Sequence, residues 1–393
     1  MKKPLKIAIY SGNIPSTTFI ERLIEGLSNK SCEVYLFGFL KKKVTYSKKV
    51  SVFAYKNTRL HKAVFLLKYS MLLFLFKTKK KQQLDILLNS KSKNLLLDKV
   101  KCYPVLWHQP DIFHVQWAKG LDDWMWVQEF GMRLVLSLRG AHINYSPIAD
   151  QALAATYRDC FPKLDGFHAV SKAIGLEAQK YGADPKLIHT VYSGLPIHMN
   201  IKLEKKSNSI FKIISVGRPH WIKGYTYALD ACEFLKDVGF NFCYSIVGGE
   251  DTIEYQYQIR DLSLENNTQL LGQQDFDTVQ TLIHEADLLL LPSLQEGIAN
   301  VVLEAMSLGT LVLSTDCGGM HEVIQDGENG FLIPLRNPEH MARKILDIAN
   351  ISECKKQQIR EKALQTIREN YSEIKMVDGM LALYESILKK NNI

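Results

Sequence analysis

The stretch PSLQEGIANVVLEAMSLGTLVLSTDCGGMHEVIQDGENGFLIP, residues 292–334, decides the fold. It reads as a strand end, a loop, a helix over roughly 299–308 and a second strand, with Gly297 before the helix and Gly309 after it. The run LLLLPS (288–293) leads into it as a buried strand. A helix whose free N–H groups face the carboxyl end of a parallel strand is a ready anion site, suited to a phosphate. Glu296 falls in the loop, placed to reach a ligand hydroxyl, and Glu304 falls on the second helical turn, placed to accept from a vicinal diol. The plainer alternative has Glu296 stabilising the helix dipole and Glu304 solvated.

Upstream, SVGRPHWIKGYTYALD (215–230) repeats the theme. A strand ends at Val216, Gly217 and Arg218 open a loop, and Lys223 and Gly224 lead into a helix. Two cations flanking one strand-to-helix loop make a clamp for a diphosphate, or two solvated surface charges.

Moving outward, the same strand–helix rhythm runs through the chain. KIAIYS, TTFIERLIEGLSN and CEVYLFGF open it, and DIFHVQWA, MRLVLSLRG and GFHAVS resume it as buried strands. A second cycle starts near Ile210 with FKIISVG, GYTYALDACEFLKDVG, NFCYSIVGG and TIEYQYQIRDLSLEN, and TLVLSTD and GFLIP continue it. Such alternation predicts parallel sheets with crossover helices. Two α/β domains follow, 1–200 and 201–393, joined by the polar stretch IHMNIKLEKKSNS.

Residues 59–101 interrupt the first cycle. AVFLLKYSMLLFLF is 14 residues long, too short to cross a bilayer, which takes ~20. With KTKKK and NSKSK beside it, it reads either as a buried helix with solvated basic ends or as a helix lying at a membrane interface. Residues 1–105 hold 22 Lys and Arg against 5 Asp and Glu, whereas the whole chain carries a net charge of only +8. That imbalance suits an anionic partner. No zinc-finger, helix-turn-helix or RNP-like pattern appears, so a membrane surface fits better than nucleic acid.

Composition is that of a globular protein: 393 residues, 46% hydrophobic, 23% charged, 23 Gly and 12 Pro. Seven scattered Cys without a CxxC pair imply a reduced, cytoplasmic protein without structural zinc. MKKPLKIAIYSG reads as a first β-strand rather than a signal peptide. His108 and His114 have no metal-ligand partner on a common helix face. Asp275-Phe276-Asp277 reads as turn chemistry, and Ser171 as a helix N-cap rather than a nucleophile. Of the Trp cluster, Trp107 and Trp117 read as core in preference to an acceptor platform, the other reading for Trp107, Trp117, Trp124 and Trp126.

Taken together, Gly217-Arg218, Lys223-Gly224, Glu296 with Glu304, and Gly318-Gly319 with Glu322 resemble the retaining glycosyltransferases of family four, the group 1 glycosyltransferases. SIVGGE (245–250), LLGQ (270–273) and ADLLLLPS (286–293) are similar to further pieces of that family in the proper order. The N-terminal half resembles it more loosely, through SGNIPSTTFIERLIEGL and PDIFHVQW. Where many members carry His-Gly-x-Asp, this chain has Arg139-Gly140-Ala141-His142, so either Arg139 replaces the histidine or His142 supplies it from a shifted loop.

The resemblance implies the GT-B fold, two facing Rossmann-like domains, with the last helix packing back on the N-terminal one. It implies a hexosyltransferase that moves a sugar, with retention, from a nucleotide-diphosphate sugar to a glycan or lipid-linked acceptor in cell-surface polysaccharide or glycolipid synthesis. Catalytic roles then fall to Glu296, Arg218, Lys223, Arg139 and His142. Donor binding falls to Gly12, Gly217, Gly272, Ile298, Ala299, Asn300 and Glu304. No metal and no cofactor are expected, and the chain is expected on the inner face of the cell membrane. A phosphorylase-like enzyme and a catalytically dead membrane-bound scaffold remain as alternatives, the latter because of Arg139.

Overall fold

The computed structural model describes residues 4–91, 94–196, 210–250 and 252–389. The polar joining stretch 197–209, and with it the expected boundary at 200/201, lies outside these residues.

The N-terminal unit is built on a seven-stranded parallel sheet. Its strands are β1 (Leu5–Ile14), β2 (Cys32–Leu40), β3 (Val50–Tyr55), β4 (Ile112–Val115), β5 (Arg133–Leu138), β6 (Gly166–Ala169) and β7 (Ile188–Thr190). They lie in the order 3-2-1-4-5-6-7. The C-terminal unit holds β8 (Phe211–Val216), β9 (Phe242–Val247), β10 (Thr268–Leu271), β11 (Leu288–Leu291), β12 (Leu311–Thr315) and β13 (Phe331–Ile333). Their order is 10-9-8-11-12-13, again parallel throughout. Both are doubly wound Rossmann-like sheets.

Central strands such as IFHV and LLLL are buried along their whole length, because helices cover both faces of a parallel sheet. In each unit the strand order reverses at one point, between β1 and β4 and between β8 and β11. Chains that leave adjacent strands in opposite directions open a crevice at the strands' carboxyl ends, and ligands of such folds bind there.

The units are not simple halves of the chain. The N-terminal one takes residues Met1–Val170, Ile174–Gly194 and Glu373–Ile393, and the other takes Ser171–Ala173 and Leu195–Ser372. The final helix Glu373–Lys389 buries Met376, Val377, Met380, Leu383, Tyr384 and Ile387 within the N-terminal unit. Glycines admit it: a Cβ on Gly26 would lie 2.3 Å from Val377 Cγ2, and one on Gly166 would lie 2.6 Å from Ile387 Cδ1.

Between β3 and β4 run three helices, α2 (Arg59–Phe76), α3 (Thr78–Lys91) and α4 (Leu95–His108), while α1 (Thr18–Ser28) joins β1 to β2. Only Tyr69 and Leu73 of α2 are buried, so the reading of this segment as a buried helix is corrected. Its apolar run faces two ways, one side onto the unit and the other out to solvent.

Candidate functional site

In the C-terminal unit the loops that leave β8, β11 and β12 are joined backbone to backbone. Leu294 N–H donates to Ile222 O at 2.7 Å, and Gly319 N–H donates to Gly297 O at 2.9 Å. Two glycines permit this closeness. Gly224 has φ 65° and Gly318 φ 58°, values that favour residues without a side chain. A Cβ on Gly224 would sit 2.1 Å from Pro292 O, and one on Gly318 would sit 1.8 Å from Glu296 O.

Held by this framework, Lys223 Nζ lies 2.7 Å from Glu296 Oε1. The same carboxylate oxygen accepts the Ser293 hydroxyl at 2.9 Å. Ser293 is in turn fixed through its carbonyl, which accepts from Thr315 Oγ1. The two charged side chains are only 20% and 16% exposed, so the pair is partly withdrawn from water and screening is weak. Sequence reading gave Lys223 and Glu296 separate tasks; the structure brings them into contact, each neutralising the other.

The helix after Glu296 spans Asn300–Ser307, with Ala299 as its N-cap and no side chain capping it. Its first turn therefore offers N–H groups and the positive end of the dipole at the strand-order reversal. Asn300 Oδ1 is buried there with no hydrogen-bond partner. Arg218 is exposed in the loop after β8, Gly217 directly follows that strand, and Glu304 is half-buried one turn into the helix. Ile298 is half-buried and Ala299 buried beside them. Gly272, at the end of β10, lies against the Glu250 carboxylate: a Cβ there would be 2.1 Å from Glu250 Oε2. Glu322 accepts the N–H groups of Lys172 and Ala173, both 2.9 Å away.

In the N-terminal unit, Gly12 (φ 82°) is part of β1 itself, which runs to Ile14 past a register shift and pairs Gly12 with Gly38. The expected loop after the first strand therefore starts later than Gly12. Arg139 follows β5. Its guanidinium lies 4.4 Å over the Phe19 ring, and its Nη2 donates to Gln116 Oε1 at 3.1 Å. Its Nε is sealed from solvent without a partner, and burial pushes its pKa down to about 9. His142, on the short helix Ala141–Asn144, packs against Trp117 with ring centroids 5.3 Å apart. Its Nδ1 is buried without a partner, and burial, then Lys119, lower its pKa. The two candidates thus share a loop but present different chemistry: a caged cation and a neutral imidazole.

Beneath Arg139 runs a buried relay that sequence reading missed. Tyr384 Oη and His114 Nδ1 are 2.8 Å apart, His114 Nε2 and Ser137 Oγ 2.8 Å, and Ser137 Oγ and His168 Nδ1 2.8 Å. His168 Nε2 lies 2.9 Å from Val191 O. A carbonyl only accepts, so His168 Nε2 carries a proton and its Nδ1 takes the Ser137 hydroxyl proton. Ser137 then accepts from His114 Nε2–H, and Tyr384 donates to His114 Nδ1. Burial keeps both imidazoles neutral, His168 with a pKa of about 3 and His114 well below its ordinary value. Ser137 Oγ also lies 3.4 Å from Gln116 Oε1, the atom that holds Arg139. The signal was one polar residue inside each of three apolar strands.

Of the remaining expectations, Asp275 caps the helix Phe276–Glu285 by accepting from Thr278 N–H, rather than making a turn. Trp124 and Trp126 are core, whereas Trp107 and Trp117 are partly exposed and packed against it. Among the described residues no group of three or more His, Cys, Asp or Glu is placed to hold a metal ion.

Residues 200–366 match the family described as Glycosyl transferases group 1. The amylovoran biosynthesis glycosyltransferase AmsK of Erwinia amylovora is 31% identical over 176 residues, 43% of either chain. N-acetyl-alpha-D-glucosaminyl L-malate synthase of Bacillus anthracis is 26% identical over 293 residues, 71% of this chain and 75% of that one. The chain spans about half the length of the curated relatives it matches first. Among solved structures, HepE of Anabaena in complex with UDP and glucose superposes with a TM-score of 0.70 at 19% identity, over 97% of this chain and 100% of that one. The fold is that of the GT-B glycosyltransferases.

Proposed function

With a group 1 glycosyl transferase match over the C-terminal unit as premise, we propose that this chain is a retaining hexosyltransferase. It moves a sugar from a nucleotide-diphosphate sugar to a glycan or lipid-linked acceptor. The observation that carries the reading is the Lys223–Glu296 pair, set beside an uncapped helix N-terminus where the C-terminal sheet reverses its strand order.

In this reading Arg218 and Lys223 take the diphosphate and stabilise its charge as the glycosidic bond breaks. The N–H groups after Ala299 add their dipole to the same phosphates. When the diphosphate draws Lys223 away, Glu296 is freed to accept hydroxyls of the donor sugar. Glu304 holds the ribose diol, and Gly217, Gly272, Ile298, Ala299 and Asn300 line the donor. Gly12, Arg139 and His142 serve the acceptor side. Retention of configuration rests on the motif resemblance. A uridine nucleotide is the first donor to test, because HepE binds UDP and glucose. Side chains neutralise the leaving group here, so turnover should persist in excess EDTA. An acceptor of this class places the chain in the cytoplasm, on the inner face of the cell membrane.

A thermal-shift screen against UDP, GDP, ADP and CMP and their sugars tests the donor assignment. A ligand at 100 times its Kd adds about 2.7 kcal/mol to the folded state. One nucleotide should raise the melting temperature well above the others. No rise with any of them would overturn the reading.

A further inference from the structure

We propose that the outward face of α2 docks this protein on an anionic lipid bilayer. The inference rests on the transferase reading only for the purpose of docking, and otherwise on two observations of its own.

The first is a stripe of large apolar side chains in open solvent. Leu60, Val64, Leu67, Met71 and Phe74 follow one another at steps of four and three residues, and all are exposed, from 56% to 77%. At 3.6 residues per turn these steps fall on one side of the helix, along a line about 20 Å long. Leu75 widens the stripe, also exposed. Tyr69 and Leu73, the two buried residues, lie on the opposite side. Burial of that inner side accounts for the helix, but nothing among the described residues covers the outer one. Contiguous exposed apolar surface of this kind marks an interaction site.

The second observation is charge. Residues 34–84 contain 13 Lys and Arg and no Asp or Glu. Lys68 borders the stripe, and Arg59 and Lys62 line, with Leu66, Leu67, Leu96 and Leu97, an open groove of about 770 Å³ between α2 and α4. A second copy of the chain would set like charge against like charge across this face. Nucleic acid would answer the cations but leave the stripe in water. An anionic bilayer answers both, with headgroups for the cations and acyl chains for the stripe. No helix among the described residues is long and apolar enough to cross a membrane, so α2 would lie in the interface.

Choice of variants follows from the structure. Lys77 Nζ donates to the carbonyls of Leu106 and Trp107 at the end of α4, and Lys81 pairs with Asp85. Both hold the fold together and are left alone. Arg59, Lys68 and Lys79 are exposed, and each cation near a charged surface is worth about fivefold in partitioning. Full-length protein is co-sedimented with vesicles of phosphatidylcholine, with and without phosphatidylglycerol.

Binding should need phosphatidylglycerol and be lost near 1 M salt, where the Debye length is about 3 Å. R59S/K68S/K79S should bind about 100-fold more weakly. L67S/M71S/F74S should lose at least tenfold while melting like wild type, since these side chains are already in water. Equal binding to neutral vesicles, no binding at all, or a serine-stripe variant that binds like wild type would overturn the proposal. So would a wild-type dimer, abolished in L67S/M71S/F74S, without vesicle binding. Nucleoside diphosphate thermal shifts on the same samples keep the two readings apart. Vesicle binding without a shift leaves docking intact and counts against the donor site, and the reverse counts only against docking.

Discussion

Arg139 and His142 compete for one role, and their surroundings make the competition decidable. Arg139 is caged by Phe19 and Gln116, with a pKa lowered to about 9 but still cationic at neutral pH. His142 is neutral there, its pKa lowered by burial. If Arg139 does the work, Arg139→Ala should cut transfer by ~10²–10³ and His142→Ala should be mild. The reverse pattern would assign the role to His142, and wild-type rates in both would remove the loop from the mechanism. A second residue-scale test is Gly224→Ala. A methyl group 2.1 Å from Pro292 O must force the 221–224 and 292–294 turns apart. Donor binding should fall at least tenfold with a loss of stability of about 2 kcal/mol or more. A variant that melts and binds like wild type would show that the close approach is dispensable. The candidate residues of the C-terminal unit stood out in the sequence because glycines, cations and glutamates recur at fixed offsets around strand ends. Their pairing was not: that Lys223 grips Glu296 depends on two turns meeting across 73 positions of chain.

Elements were legible where one face decides them. FKIISVG, NFCYSIVGG and LLLLPS emerge as β8, β9 and β11, because strands covered on both faces read as mostly apolar runs, broken here only by Lys212 and Ser215 in β8 and Ser245 in β9. The edge strand β3 and the short β7 were missed: VSVFAY is mostly apolar but follows a Lys-rich stretch, and β7 has only three residues. Helix α2 was ambiguous for a physical reason. It is apolar on two opposite sides, and sequence alone does not say which side the fold covers. The relay through β4, β5 and β6 was hidden similarly. His114, Ser137 and His168 each interrupt a strand, but only the register, which pairs Ser137 with His168, brings them together. The buried and half-buried histidines, His108 outside the relay among them, give a pH prediction. His168 titrates at about 3 and half-buried His108 at about 4, both lowered first by burial, and His114 lies well below its ordinary value. Unfolded histidines take protons near 6.5. Below that pH the unfolded chain binds protons the native one refuses, so stability falls as pH falls, down to the folded values. His108 and His168 should each cost about 2 kcal/mol between pH 7 and 5, and His114 acts in the same direction. Asp123, Asp230 and Glu373 have raised values and act in the opposite sense, so the comparison is with His108→Asn. Urea midpoints at both pH values should show a drop about 2 kcal/mol smaller in that variant. An equal drop would contradict a neutral His108.

At the scale of the whole molecule, both units place their candidate residues at the carboxyl ends of sheets whose strand order reverses. Fold and crevice follow from the parallel wiring; the charges decide what enters. On the proposed reading, those of the C-terminal unit, Arg218 and Lys223 with the helix after Ala299, take a diphosphate. The last helix ties residues Glu373–Lys389 to the N-terminal unit, so truncation there should damage that unit's core. Leu383→Ala should cost about 2–5 kcal/mol in chemical denaturation, and a loss below 1 kcal/mol would mean the helix packs loosely. The central claim is that this chain breaks a sugar–diphosphate bond with Lys223 and Glu296 at the reacting end of the donor. It is met most directly by measuring nucleoside diphosphate release from the sugar nucleotide that best stabilises the protein. Wild type, Lys223→Ala and Glu296→Ala are compared, each shown by melting to be folded. Release by wild type that falls ~10²–10³-fold in both variants is the predicted result. Wild-type release rates in either variant, or no release by wild type with any donor that binds, would contradict it.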